Sequence, residues 1–116
     1  MSAFDFETLR NALETRDAAK LLALYGPDAS VTVVNKHTTP SRPYQTRGRP
    51  ELETYLGDVC ARDITHAVGH EVIGERRVAY TETCEYPEGS KVFTANYLDI
   101  EDGAIVGHTI VEIWDE

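Results

Sequence analysis

Three long runs of strand-forming residues, joined by turns too short for anything but hairpins, fill the last third of the sequence. RRVAYTETCEY (76–86) leads through PEGS into KVFTANYLDI (91–100), and EDG then leads into AIVGHTIVEIW (104–114). Asp102-Gly103 is a common hairpin-turn dipeptide. In the other turn Pro87 suits the first corner position and Gly89 tolerates positive φ. Val, Ile, Tyr, Thr and Phe dominate the runs and pack well on a pleated surface. Three such strands form an antiparallel meander, which needs an apolar cover on at least one face. That cover must come from upstream.

Residues 4–16 read as a helix with Phe6, Leu9 and Leu13 on one side, capped by Ser2 or Asp5. Asp17 opens a short second helix, AAKLLALY (18–25), with Gly26 at its exit and Pro27 preventing continuation. ASVTVVNK (29–36) is the first strand. HTTPSRPYQTR (37–47) has no periodicity and reads as a loop long enough to be a lid or rim. A third helix starts at Gly48 or Arg49, with Pro50 in its first turn and Glu51 placed to receive free amide protons. Its apolar stripe is Leu52, Tyr55, Leu56, Val59 and Cys60. After Asp63 the period becomes two, with Ile64, His66, Val68, His70 and Val72 on one face, and Gly74 to Arg77 turns the chain into the meander.

The last strand carries Ile105, Thr109, Val111 and Ile113 on one face and Val106, His108, Ile110 and Trp114 on the other. Apolar residues on both faces predict that a second copy covers part of the sheet's outer side, making a homodimer.

A chain of 116 residues suffices for one core, so residues 1–116 are expected to form a single domain. Eleven basic against 20 acidic residues give a formal charge of −9, which repels phosphate backbones and anionic lipid. Neither nucleic acid nor membrane is an expected partner. No apolar run approaches the roughly 18–20 residues that span a bilayer, and MSAFDFETLRN lacks the features of a signal peptide, so a cytoplasmic location is expected.

Chemistry-bearing residues are few. Cys60 and Cys84 lack metal-type spacing and read as small buried hydrophobes. His66 and His70 would stand roughly 13 Å apart along one strand face, too far to share an ion, so no metal and no cofactor are expected. Tyr80, Glu82, Cys84 and Tyr86 share a face with Val78. Either Glu82 is solvated there, or it pairs with Arg76 or Arg77, or it is a pocket carboxylate beside Tyr80 and Asn96 with His108 on a neighbouring strand. The last arrangement makes Glu82 and His108 the candidate catalytic pair, with Tyr80 and Asn96 orienting a ligand. Tyr25, Asp28 and His66 are further candidates for ligand contact, although Asp28 also fits a turn cap. Arg47 and Arg49, flanking the third helix's start, fit a surface pair or an acidic ligand. No phosphate loop, nucleophile elbow or dinucleotide fingerprint is present.

LLALYGPDASVTVVN (21–35), a variable loop, TRGRPELETYL (46–56) and the four-strand tail together resemble the NTF2-like superfamily, in its SnoaL-like branch. The Tyr25-x-x-Asp28-Ala29 step and the Gly48-Arg49-x-Glu51 helix start carry the likeness. The resemblance implies an α+β cone, a curved and largely antiparallel sheet wrapped around N-terminal helices. It also implies a pocket for a small apolar or polyketide-like molecule, and often a dimer formed through the sheet's outer face. Such families include isomerases, polyketide cyclases, epoxide hydrolases and dehydratases, so an acid–base enzyme and a non-catalytic structural or regulatory homodimer are both alternatives to simple ligand binding. In the isomerases the catalytic carboxylate lies five residues beyond the position of Asp28. Val33 stands there and cannot take a proton, and the first-helix region lacks the Tyr those enzymes use as an oxyanion donor.

Overall fold

Two aspartates start the helices that roof the sheet. In a computed structural model, which describes residues 4–115, Asp5 accepts from Thr8 N at 3.1 Å to open α1 (Phe6–Glu14). Asp17 accepts from Lys20 N at 3.1 Å to open α2 (Ala18–Leu22). Each carboxylate satisfies an amide that has no partner inside its helix. Ser2, the alternative cap, lies outside the described residues. Phe6, Leu9, Ala12 and Leu13 form the buried face of α1.

The second helix stops at Leu22, short of the expected Tyr25. Tyr25 instead begins strand β1 (Tyr25–Val34), four residues before the expected start. Its register against the last strand shifts between Tyr25 and Ser30, which absorbs Gly26 and Pro27, the latter with no N–H to give a ladder. A second difference is β2 (Tyr44–Arg47), an edge strand within the expected loop, paired antiparallel from Ser30↔Arg47 to Val33↔Tyr44. Helix α3 (Arg49–Ala61) follows Gly48, whose φ of 86° suits a residue without Cβ. Glu51 reaches back to accept from Arg47 N at 3.1 Å, while Leu52, Leu56 and Cys60 are buried.

The remaining chain is β3 (Thr65–Ile73), β4 (Arg77–Glu85), β5 (Lys91–Glu101) and β6 (Ala104–Asp115). The six strands form one curved sheet in the order β2-β1-β6-β5-β4-β3, antiparallel throughout except where β1 runs parallel to β6. The hairpin turns follow the sequence. Asp102 and Gly103 have φ of 51° and 77° between the paired residues Glu101 and Ala104, and Gly89 N donates to Tyr86 O at 2.9 Å across Pro87-Glu88.

Two alternations slip, both at bulges. In β3 the pairing with β4 shifts between Gly69 and Val72, and His70 takes φ 53°. Val68 is therefore buried as expected, whereas His70 and Val72, expected on the same face, are exposed. Arg10 of α1 braces this bend, donating to Val68 O at 2.9 Å and pairing with Glu71 at 2.6 Å, while Glu14 accepts from Val68 N. In β6 the register shifts opposite Asp99 and Ile100, so Ile105 turns inward with His108 and Ile110 rather than outward with Thr109, Val111 and Ile113.

The core lies between the helices and the concave face, with Leu9, Leu21, Val31, Leu52, Leu98 and Ile105 closed to solvent. On the convex face the cross-strand pairs Phe93↔Ile113, Ala95↔Val111 and Tyr97↔Thr109 form an uncharged stripe, in which Phe93, Tyr97 and Ile113 are exposed. Among the described residues no helix is long and apolar enough to cross a membrane.

Candidate functional site

The helices do not fill the cone. A cavity of about 390 Å³ remains over the concave face, with Leu13, Leu21, Val33, Leu56 and Ile110 in its apolar wall. Four aromatic rings stand at its more exposed end. Tyr44 lies 5.9 Å from Tyr55, and Tyr86 stacks on Trp114 at 5.7 Å.

Besides the pairs Asn35–Glu112 and Arg62–Asp58, two polar clusters interrupt the apolar wall. The first begins at the foot of β1, where Tyr25 Oη lies 2.8 Å from His108 Nδ1. His108 Nε2 lies 2.9 Å from Asn96 Oδ1, Asn96 Nδ2 donates to Thr94 Oγ1 at 2.8 Å, and Thr94 Oγ1 donates to Glu82 O at 3.4 Å. The terminal carbonyl can only accept, which sets the direction of the whole row. Thr94 gives its proton to Glu82, Asn96 gives an amide hydrogen to Thr94, and His108 gives Nε2–H to Asn96, so the tautomer follows from the network. Nδ1 is left as the acceptor for the Tyr25 hydroxyl. Burial holds the ring neutral, pulling its pKa down to about 3. Both ring nitrogens are thus occupied within the protein.

Tyr80 stands beside this row, 6.3 Å from the His108 ring and edge-on to Phe6 at 5.7 Å. It is 3% exposed, and among the described residues its hydroxyl has no hydrogen-bond partner. Burial raises its pKa well above that of an ordinary phenol, so it remains a proton donor at the cavity wall.

The second polar group is His66, Glu82 and Cys84. His66 and Cys84 are directly paired across β3 and β4, and Glu82 is the next residue along the same face of β4. His66 Nδ1 hydrogen-bonds Glu82 Oε1, and Cys84 Sγ lies 3.5 Å from each of those two atoms. Glu82 is 8% exposed, so its face is not the solvated one. Its partner is neither Arg76 nor Arg77, the latter pairing with Asp99 on the surface. Burial, followed by the nearby Glu82, pushes the Cys84 thiol far up, leaving it protonated and inert as a nucleophile.

Of the candidates named from the sequence, Tyr25, His66, Tyr80, Glu82, Asn96 and His108 line the cavity. Asp28 does not. It is exposed in the irregular start of β1, where the register shift places it outside. His37 and His70 are exposed as well. Arg49 is engaged with the backbone. It donates to Leu22 O at 3.1 Å and Tyr25 O at 3.2 Å, tying the end of α2 to the start of β1. Sequence reasoning missed Tyr44, Tyr55 and Thr94 as wall residues. Thr94 was within reach, since it shares parity with Val92 and Asn96.

The sequence pattern described as a SnoaL-like domain matches residues 6–108. The chain belongs to the SnoaL-like family. No curated protein sequence is significantly similar to it. Among solved structures, an NTF2-like protein of unknown function from Mesorhizobium loti superposes with a TM-score of 0.80 at 14% identity, over 93% of this chain and 87% of the other. A putative ketosteroid isomerase from Kribbella flavida DSM 17836 gives 0.77 at 15% identity, over 96% and 75%. An LEH-like epoxide hydrolase from M. tuberculosis gives 0.66 at 18% identity, over 95% and 79%. At these identities the likeness speaks for the fold, and it agrees with the NTF2-like α+β cone of this SnoaL-like chain.

Proposed function

We propose that this SnoaL-like domain binds a small, largely apolar molecule that presents a carbonyl or similar acceptor oxygen to Tyr80. The carrying observation is Tyr80, a residue 3% exposed and protonated, whose hydroxyl makes no hydrogen bond among the described residues and stands on the wall of a 390 Å³ cavity. Among the described residues the buried polar atoms left without a partner are Arg10 Nε and Thr46 Oγ1 and not Tyr80 Oη, so the Tyr80 hydroxyl keeps open surface on which a ligand oxygen can accept its hydrogen. The volume suits a molecule of one or two fused rings. Asn96 and Tyr25 are committed to His108 and shape the wall, so they act as positioning residues. Glu82 lies two residues along β4 from Tyr80, about 7 Å away, and offers a second polar point.

The enzymatic form of this reading is acid–base chemistry of the cyclase, isomerase or dehydratase type. Tyr80 polarises a carbonyl while the Glu82 carboxylate, oriented by His66, accepts a proton from a neighbouring carbon. His108, expected as the partner of Glu82, supports the wall through Tyr25 and Asn96 instead. A closed cone serving only a structural dimer is disfavoured by the position of Tyr97, which lies on the convex face and does not fill the cavity.

The neutral fluorophore N-phenyl-1-naphthylamine, displaced by 2-tetralone or by tetralin, tests the binding reading. These two competitors differ by one carbonyl oxygen. The ketone is expected to displace the probe at a tenfold lower concentration from wild type, and Tyr80→Phe should lose that preference, about 1.4 kcal/mol. Failure of both to displace the probe, or an equal preference in both proteins, overturns the proposal.

We also infer a homodimer through the convex stripe. In a chain of formal charge −9, the uncharged pairs Phe93–Ile113, Ala95–Val111 and Tyr97–Thr109 are where a like-charged copy can approach without repulsion. Sedimentation equilibrium at micromolar concentration should give about twice the 12.9 kDa chain mass, and Tyr97→Glu should halve it. A persistent wild-type monomer overturns this reading.

A further inference from the structure

We propose that His66, Glu82 and Cys84 form a three-ligand site for a zinc-like divalent cation on the β3–β4 wall of the cavity. Their ligating atoms all lie within 4.8 Å of one another. A tetrahedral ion with sulfur at about 2.3 Å and nitrogen or oxygen at about 2.0–2.1 Å needs sulfur edges of about 3.5 Å and a nitrogen–oxygen edge of about 3.3 Å. The two sulfur edges here are each 3.5 Å. The third edge is closed by the His66–Glu82 hydrogen bond and must open as the cation replaces that hydrogen. Binding releases the Cys84 thiol proton to solvent, and the His66 hydrogen that bridged to Glu82 moves by way of solvent to Nε2, which frees the Nδ1 lone pair for the cation and keeps the ring neutral.

The scaffold is suited to holding such a set. Two of the residues are paired across an antiparallel ladder and the third is on the same strand face, so the backbone fixes their separation. All three side chains are sheltered from bulk water, that of His66 being 4% exposed. No protein cation serves them. Among the described residues Arg62 is the only arginine or lysine in the cavity wall, and Asp58 holds it at 2.7 Å. Imidazole, carboxylate and thiolate together favour zinc over magnesium or calcium, which prefer all-oxygen shells. Three protein ligands leave a fourth position turned to the cavity, the coordination of a catalytic zinc rather than a structural one. The site does not depend on the Tyr80 hydroxyl, although the two readings share the cavity and its residues Glu82 and His66.

Anaerobic cobalt titration of the full, reduced chain tests the site. One equivalent should bind at micromolar concentration, producing a thiolate-to-cobalt charge-transfer band and the visible bands of tetrahedral cobalt, and stoichiometric zinc should displace it. Cys84→Ser should abolish the charge-transfer band, and His66→Gln should weaken zinc at least tenfold. Cys60→Ser and Tyr80→Phe should bind metal as wild type does, which separates this site from the ligand reading. Zinc X-ray absorption on the wild type needs no variant, and should show one sulfur at about 2.3 Å with nitrogen or oxygen at about 2.0–2.1 Å. No saturable uptake, a band that survives Cys84→Ser or vanishes with Cys60→Ser, or a zinc shell without sulfur each overturns the proposal.

Discussion

Between pH 6.5 and about pH 4.5 the wild-type protein is expected to lose roughly 2 kcal/mol of stability that a His108→Gln variant keeps. The folded ring has a pKa near 3, against an ordinary value of 6.5, because burial disfavours the imidazolium. Between those two values the unfolded chain takes up a proton that the native state refuses. Stability therefore rises with pH across this window, reaches its full value above 6.5 and falls away as acid is added. Protonation would also make Nδ1 a donor facing the Tyr25 hydroxyl, which now donates to it. Glutamine offers a carbonyl to Tyr25 and an amide to Asn96 and does not titrate. Other groups contribute to acid lability. Hydrogen bonds from Thr8 hold Asp5 low, and a backbone hydrogen bond holds Glu71 low, but both are on the surface, act at lower pH and are common to the two proteins. Urea melts at a series of pH values measure the difference. Parallel declines in the two proteins would place the lability outside the Tyr25–His108–Asn96 row.

Leu52→Ala should cost about 3–4 kcal/mol, a large share of the roughly 5–15 kcal/mol that holds an ordinary domain together. Leu52 is closed to solvent in the first turn of α3, in the same core as Leu21, Val31 and Leu56. Truncation removes its transfer energy and leaves a hole, which the neighbouring strand and helix cannot close without breaking their own hydrogen bonds. Glu53→Ala, one residue on and exposed, should change stability by less than about 0.5 kcal/mol. Equilibrium denaturation of both variants at pH 7 measures the contrast. A loss below about 1 kcal/mol for Leu52→Ala would mean that this end of α3 is not anchored as its burial implies.

Periodicity made most of the architecture legible in the sequence. The stripes of α1 and α3 and the hairpin turns at Asp102-Gly103 and Pro87 to Gly89 appear where the residues put them, because each is specified by neighbours close in the chain. Errors arose where distant contacts decide. Tyr25 reads as the end of a helix, yet it pairs with Ile105 and becomes strand. Tyr44 to Arg47 reads as loop, since an edge strand with polar residues has no apolar alternation of its own. His70 and Ile105 changed faces at bulges, which shift every side chain beyond them without a local signal. Parity placed Tyr80, Glu82, Asn96 and His108 on one wall correctly. It could not tell which of them touch. The His66–Glu82 contact depends on the registry of β3 against β4, and the occupancy of both His108 nitrogens depends on the curl that brings β1 beside β6.

That last neighbour relation also governs how the protein can be made. The sixth strand in chain order, β6, lies in the interior of the sheet, between β5 and β1. During translation α1, α2, β1, β2 and α3 emerge before β3 to β6, with their apolar faces and little sheet to lie on, and β1 must wait for β6 before its parallel partner exists. Contacts so distant in sequence make the closing step slow relative to helix formation. The ribosome therefore carries this domain with its first half exposed to chaperones, proteases and other nascent chains until β6 has emerged. A stop codon just before β6 would remove only the end of the sequence, but it would split the sheet in two.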